Sequence, residues 1–161
     1  RRGFLNTTGT MTAAGTVSDV ATSTQFNPYK VGWTYNSSGP SVSGNTSGCT
    51  YVAYLFASCP GVSKVTSFTG NGSTQTINCG FTGGARFVLI KRTDSTGDWY
   101  VYDTARGMTT LTDPYLTLDT TNAETATLGS VTTVSTGFKV DASILAAVNT
   151  NAATYIYLAI A

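Results

Sequence analysis

The chain has 161 residues, of which 41% are hydrophobic and only 11% are charged, and its formal net charge is +1. It is apolar enough to bury a core, and its nearly neutral charge excludes the basic footprint of a nucleic-acid-binding protein. Histidine is absent, which excludes histidine-dependent triads and histidine metal sites.

The apolar runs fall short of the roughly 18 residues that cross a membrane as a helix, so we expect no membrane insertion. We also expect no nucleic-acid partner, no metal and no cofactor. The three cysteines, Cys49, Cys59 and Cys79, are an odd number in a chain of this length and do not predict a disulfide framework. Small buried thiols are the expectation, with one bridge involving Cys59 as the alternative.

Strand patterns dominate the chain from residue 50 onward. Residues 50–57 form an aromatic and β-branched run that ends at Cys59-Pro60-Gly61, which predicts a strand followed by a turn. Residues 64–69 and 74–79 flank a Gly-Asn-Gly-Ser turn, and together they predict a β-hairpin. The near-continuous apolar run 86–92 predicts a central strand.

The second half of the chain continues this pattern. Residues 98–103 predict a strand with Trp99 and Val101 on one face and Tyr100 and Tyr102 on the other. Further strands are predicted at 115–119, 130–134, 137–140 and 154–160, whereas only 122–126 and 141–147 hold short helical patterns. Many short strands joined by Gly, Asn and Ser turns predict an all-β fold, a jelly-roll or lectin-like β-sandwich.

An internal repeat divides the chain. Arg2-Gly3 matches Arg106-Gly107, and Thr50-Tyr51-Val52 matches Thr154-Tyr155-Ile156 at the same separation. The repeat predicts that residues 58–161 form one complete β-sandwich repeat and residues 1–57 the C-terminal half of a preceding one. Half a sandwich leaves apolar faces and strand edges uncovered. We therefore expect residues 1–57 to pair with upstream sequence, the second repeat or a neighbouring subunit.

The acidic residues do not converge on a catalytic or metal site. Asp94 and Asp98 lie four residues apart in a turn, which fits either a loop for a hard cation or, as we expect, turn hydrogen bonding. Asp98 and Asp103 would lie on opposite faces of a strand, which argues against a glycosidase pair. We expect Asp103 and Arg106 to form an ion pair that fixes a turn, with recognition of a sugar or carboxylate as the alternative. We therefore predict no catalytic residues and no enzymatic activity.

Aromatic side chains are the candidates for ligand contact, because they can stack on a sugar or pack against a partner protein. The set consists of Trp33, Trp99, Tyr29, Tyr35, Tyr100 and Tyr102. From it we select Tyr29, Tyr35 and Tyr100 as candidate ligand-binding residues.

Several segments together carry a family pattern. These are Gly80-Phe81, the run from Ala85 to Arg92, the stretch from Asp94 to Gly107, the segment from Phe68 to Ser73, and the tyrosine-rich endings at 50–57 and 154–161. The pattern resembles a domain-of-unknown-function family in virion proteins of tailed bacteriophages, especially marine and cyanobacterial phages. The resemblance implies a lectin-like β-sandwich in a tail-fibre-like or other exposed virion protein, and it brings no catalytic residue with it.

These expectations favour a phage virion structural protein, namely a tail-fibre or receptor-binding module that contacts a host surface glycan or protein. Its partners would be other virion subunits, including copies of itself in a trimer, and its location would be the virion. One alternative is a capsid decoration (cement) protein, which would bind the virion shell. A second is a polysaccharide depolymerase, which would need two carboxylates in a groove.

Overall fold

The computed structural model describes residues 50, 54–109, 112–142 and 144–161. Phe56–Ala161 belongs to one compact unit, while Thr50, Tyr54 and Leu55 belong to another. The predicted division into 1–57 and 58–161 depends largely on residues outside the described ranges, and it stays a prediction.

The described residues form an all-β structure, as the sequence predicts. Its strands are β1 (Ser63–Thr69), β2 (Gln75–Asn78), β3 (Phe87–Arg92), β4 (Trp99–Asp103), β5 (Tyr115–Thr117), β6 (Val131–Val134), β7 (Gly137–Val140) and β8 (Thr154–Ile160). A five-stranded sheet has the order β1-β8-β3-β4-β5 and a three-stranded sheet the order β2-β7-β6. Every strand pair is antiparallel.

The larger sheet contains a Greek key. Strands β3, β4 and β5 follow one another as neighbours, and β8 returns to lie beside β3, which gives the order β8-β3-β4-β5. The hairpin β6–β7 intervenes along the chain but lies in the other sheet. The central position predicted for residues 86–92 is confirmed, because β3 pairs with β8 on one side and β4 on the other.

The two sheets share one hydrophobic core. Alternate residues of β3 and β8, such as Val88, Tyr155 and Tyr157, are buried together with Phe138 of the smaller sheet. The rings of Phe138 and Tyr157 meet edge-on, with centroids 5.2 Å apart. A core built from the inner faces of both sheets makes the fold a β-sandwich.

The predicted hairpin over 64–79 is wrong. Strand β1 pairs with β8 and β2 pairs with β7, so the turn between them crosses from one sheet to the other. The turn packs against the chain just before β8, where the Gly70 N–H donates to the Ala153 carbonyl at 2.8 Å and the Ala152 N–H to the Gly70 carbonyl at 2.9 Å. Local turn chemistry indicated a reversal, but it could not say which strands would flank it.

Two other local expectations need correction, and a third is confirmed only in part. Residues 54–57 lie in no strand, although a strand was predicted over 50–57; residues 51–53 lie outside the described ranges. Residues 122–126 form no helix, and 141–147 contribute only to a single 3-10 turn, η1 (Ala146–Val148). In the described part of the chain, no helix has the length and apolar character needed to span a membrane.

Candidate functional site

Of the three predicted ligand-binding tyrosines, the described residues include only Tyr100. Tyr29 and Tyr35 lie outside the described ranges. Tyr100 lies on the inner face of β4 and is 8% exposed, with its ring centroid 5.3 Å from that of Tyr115 and 6.5 Å from that of Tyr102. Burial, reinforced by the nearby Asp98 carboxylate, raises the pKa of the Tyr100 hydroxyl. Stacking of a sugar on Tyr100 would require this packing to open.

A buried lysine marks the opposite face of the same sheet. Lys91 lies on β3 directly between Trp99 of β4 and Ile156 of β8, and it is fully buried. Its Nζ donates a hydrogen bond to the Gly97 carbonyl at 2.7 Å. Burial lowers the pKa of Lys91, while the negative charges of Asp119 and Asp98 oppose that shift.

Asp98 and Asp119 complete what we call the Lys91 cluster. One carboxylate oxygen of Asp119 accepts a hydrogen bond from the Trp99 N–H at 3.1 Å, and the other is buried without a partner among the described residues. The Tyr100 hydroxyl lies 3.5 Å from Asp98 Oδ2. A lysine with a lowered pKa can act as a base or nucleophile, yet the bond to Gly97 gives Lys91 a role in holding the β3–β4 turn.

Two ion pairs among the described residues also lie within turns. Arg106 contacts Asp103 through its guanidinium at 2.8 Å and through its backbone N–H at 2.8 Å, which confirms the predicted ion pair. Asp94 accepts from Arg92 at 2.9 Å, and this hydrogen bond holds the pKa of Asp94 below its usual value. Across the described residues, no three Asp, Glu, Cys or His side chains are grouped so as to hold a metal ion.

Asp113 is a buried carboxylate that the sequence did not reveal. It is fully buried and accepts hydrogen bonds from the backbone N–H groups of Gly129 and Val131, each at 2.8 Å, and from the Ser130 hydroxyl. Three donors satisfy a charge that would otherwise be costly to bury. The donors follow Asp113 by more than a dozen residues, so no local pattern could have indicated this anchor.

The cysteine expectation holds for one of the two described thiols. Cys79 is buried, with its sulfur 3.8 Å from the Tyr157 hydroxyl, whereas Cys59 is exposed. Cys59 and Cys79 do not bridge each other, and a bridge between Cys59 and Cys49 stays a prediction. Burial raises the pKa of the Cys79 thiol, although the Tyr157 hydrogen bond and Lys64 oppose the shift. Cys49 lies outside the described ranges.

The chain matches a known protein family. The family model described as "Domain of unknown function (DUF7483)" matches residues 2–161. The chain belongs to this family. No curated protein and no solved structure matches it. The expected membership in a family of unknown function is thus confirmed, and the DUF7483 match extends over both predicted parts of the chain.

Proposed function

We propose that this DUF7483 chain is a non-catalytic structural module of a phage virion, in a tail fibre or another receptor-binding appendage that contacts a host surface glycan or protein. The virion part of the proposal comes from the sequence resemblance. The structural part of the proposal is supported by the contacts of the described charged side chains and by the exposure of a few large apolar ones.

The charges of the described residues support a structural role. The ion pairs Arg92–Asp94 and Arg106–Asp103 each close a local turn, and Asp113 anchors a loop from inside the protein. A hydrolase would need two carboxylates aimed into a common groove. The use of these acids in turns and anchors favours a scaffold over an enzyme.

An exposed apolar segment carries the proposal. Tyr54, Leu55 and Phe56 follow one another along the chain and are 80%, 69% and 59% exposed. Consecutive large apolar residues that are all exposed are typical of contact surfaces for other proteins, whereas single exposed ones are ordinary. We therefore assign Tyr54-Leu55-Phe56, the apolar segment, to contacts between copies of this chain in a homo-oligomer, with a trimer as the expected form.

The self-association test uses a matched control. Analytical ultracentrifugation of the full chain should show an oligomer, and the triple change Tyr54→Ser, Leu55→Ser and Phe56→Ser should dissociate it. Leu128→Ser is the control, because Leu128 is 75% exposed but stands apart from the apolar segment in the sequence. A monomeric parent chain, or equal dissociation by the control, would contradict the assignment.

The place on the particle requires a second experiment. Antibody raised against the chain, imaged by electron microscopy on virions of the phage that encodes it, should label the tail appendage. Label on the shell would instead support the decoration protein, and absence of label would remove the virion assignment. If the purified chain released reducing ends from host polysaccharide, the depolymerase hypothesis would replace that of a binding module.

One surface feature bears on the decoration alternative. Val65, Leu158, Leu89, Val101 and Leu116 lie opposite one another across all five strands of the larger sheet, on its outer face. A cement protein needs a flat apolar face that is open to the shell. The row is apolar, but Leu158 and Val101, on either side of the central Leu89, are only 6% and 5% exposed. Their burial supports the appendage module over the decoration protein.

A further inference from the structure

The turn between β1 and β2 contains a dipeptide with its own chemistry, Asn71-Gly72. Asn71 is exposed, and the backbone of Gly72 has a φ of +67°, a conformation that favours glycine. A Cβ at position 72 would lie 3.0 Å from the Cβ of Asn151. The crossing between the sheets therefore favours glycine after Asn71 for reasons of space and of backbone conformation.

An Asn-Gly step is prone to deamidation because glycine has no Cβ to hinder its own nitrogen. The Gly72 nitrogen loses its proton and bonds to Cγ of Asn71, and the side-chain nitrogen leaves as ammonia to give a cyclic imide. Water then opens either carbonyl of the ring and yields aspartate or isoaspartate. One water is consumed, one ammonia is released, and no other reactant is needed.

Both reacting groups are held by hydrogen bonds in the folded protein. The Gly72 N–H donates to the backbone carbonyl of Asn149 at 3.1 Å. The side-chain carbonyl of Asn71 accepts from the Ser73 N–H at 2.9 Å and from Nδ2 of Asn149 at 3.1 Å. Reaction requires the nitrogen to lose its proton and the side chain to turn toward it, so these bonds must break first.

Asn149 is positioned firmly enough to hold both groups. It is fully buried, and its Oδ1 accepts from the Asn71 N–H at 3.0 Å and from Nε2 of Gln75 at 2.7 Å. Its Nδ2 also donates to the Ser73 carbonyl. A single buried amide thus connects the turn to the end of η1.

We propose that Asn71-Gly72 is a latent site of spontaneous deamidation that Asn149 keeps closed, and that it reacts when the turn separates from residues 149–151. Isoaspartate at position 71 inserts a methylene into the backbone. The turn then cannot recover its original hydrogen bonds to Asn149. Because deamidation is irreversible, a modified Asn71 shows that the contact between the β1–β2 turn and residues 149–151 has opened.

The first test compares the full wild-type chain folded in buffer with the same chain in denaturing urea at equal pH and temperature. Peptide mapping by mass spectrometry measures the loss of Asn71, and isoaspartyl methyltransferase labelling identifies isoaspartate. We expect the folded chain to react at least about tenfold more slowly at Asn71, the factor set by an opening free energy of about 1.4 kcal/mol. Equal rates in the two states would overturn the proposal.

The second test asks whether Asn149 is responsible. Asn149→Ala should accelerate deamidation of Asn71 about tenfold relative to the folded wild type, while Asn122, exposed and followed by alanine, serves as the internal reference site. Val88→Ala is the matched control, because Val88 is a fully buried core residue with no part in the hydrogen bonds of the turn. Equal acceleration in both variants would attribute protection to overall stability and overturn the role of Asn149.

If Asn149→Ala does not fold, Gln75→Ala removes one bond that orients Asn149 and leaves the others in place. Hydrogen exchange of the Gly72 amide then gives an independent readout in the wild type and in this variant. The proposal requires slow exchange in the wild type and parallel increases in exchange and deamidation in the variant. Rapid exchange at Gly72 in the wild type would contradict it.

Discussion

Two segments with related sequences differ in exposure and in secondary structure. The internal repeat aligns residues 54–57 with 158–161, the end of β8 and the residue after it. Leu158 is 6% exposed and lies between β1 and β3, whereas the equivalent Tyr54 is 80% exposed and lies in no strand. An apolar run becomes a stable strand when neighbours satisfy its backbone groups and cover its side chains. The comparison teaches that an apolar run does not by itself determine a strand.

The strongest test of this comparison truncates equivalent side chains. Leu158→Ala should lower the free energy of unfolding by about 2–5 kcal/mol, because it removes buried contacts from the larger sheet. Tyr54→Ala should change it by less than about 0.5 kcal/mol when the protein is diluted until it is monomeric. Urea unfolding followed by tyrosine and tryptophan fluorescence measures both. Similar losses in the two variants would show that the segments are equivalently packed.

Thiol labelling compares the exposure of two cysteines, one next to each of these segments. Cys59 follows the exposed segment, whereas Cys79 contacts Tyr157 of β8 and has a pKa raised by burial. A low thiolate fraction and burial both slow alkylation. Iodoacetamide should modify Cys59 at least about 100-fold faster than Cys79 in the native protein, with peptide mapping to separate the sites. Comparable native rates would contradict the burial of Cys79 against β8.

A hydrogen bond at the start of β8 should contribute less to the free energy of unfolding. The Tyr155 hydroxyl accepts a hydrogen bond from the Thr150 N–H at 2.9 Å, and Tyr155 is fully buried. Tyr155→Phe keeps the ring and should cost about 1 kcal/mol of unfolding free energy, because Thr150 loses its acceptor. Tyr54→Phe is the matched control and should have no effect. A neutral Tyr155→Phe would mean that water replaces the hydroxyl.

The smallest effect concerns the ion pair beside β8, where Arg92 lies opposite Tyr155. Arg92 lowers the pKa of Asp94 through a hydrogen bond. The stabilisation is therefore present above the pKa of an unfolded aspartate and is lost as pH falls through the lowered folded value. Asp94→Asn should cost about 0.5 kcal/mol at neutral pH, because the pair is partly exposed. Unfolding curves of parent and variant should converge in acid; a difference that persists there would exclude the ion pair as its cause.

Local sequence patterns located the strands better than they located their partners. The alternation in residues 98–103 correctly separated Tyr100 and Tyr102 from Trp99 and Val101, because successive side chains of a strand point to opposite faces. The same patterns joined β1 to β2 as a hairpin, whereas β1 and β2 pair with strands far along the chain. Turn residues specify a change of direction, and pairing depends on contacts that no short window contains.

In the candidate site, too, contacts within one turn were predictable and contacts between distant residues were not. The Asp103–Arg106 pair was predictable, because both residues lie within one turn. The Lys91 cluster was not, since Asp119 reaches Trp99 only after β5 has folded back beside β4. Exposure was equally unpredictable: Tyr100 was selected as a ligand-binding residue, yet its ring packs with Tyr102 and Tyr115.

The amino-acid sequence by itself determined that this is an all-β chain with β3 in a central position and an ion pair at the Asp103–Arg106 turn. These properties follow from composition, alternation and contacts between near neighbours. Only the tertiary structure decided that the chain crosses between sheets at Asn71-Gly72, that Asn149 contacts that turn, and that β8 lies between two neighbouring strands. Those outcomes depend on groups that are distant along the chain and meet only when both sheets close over one core.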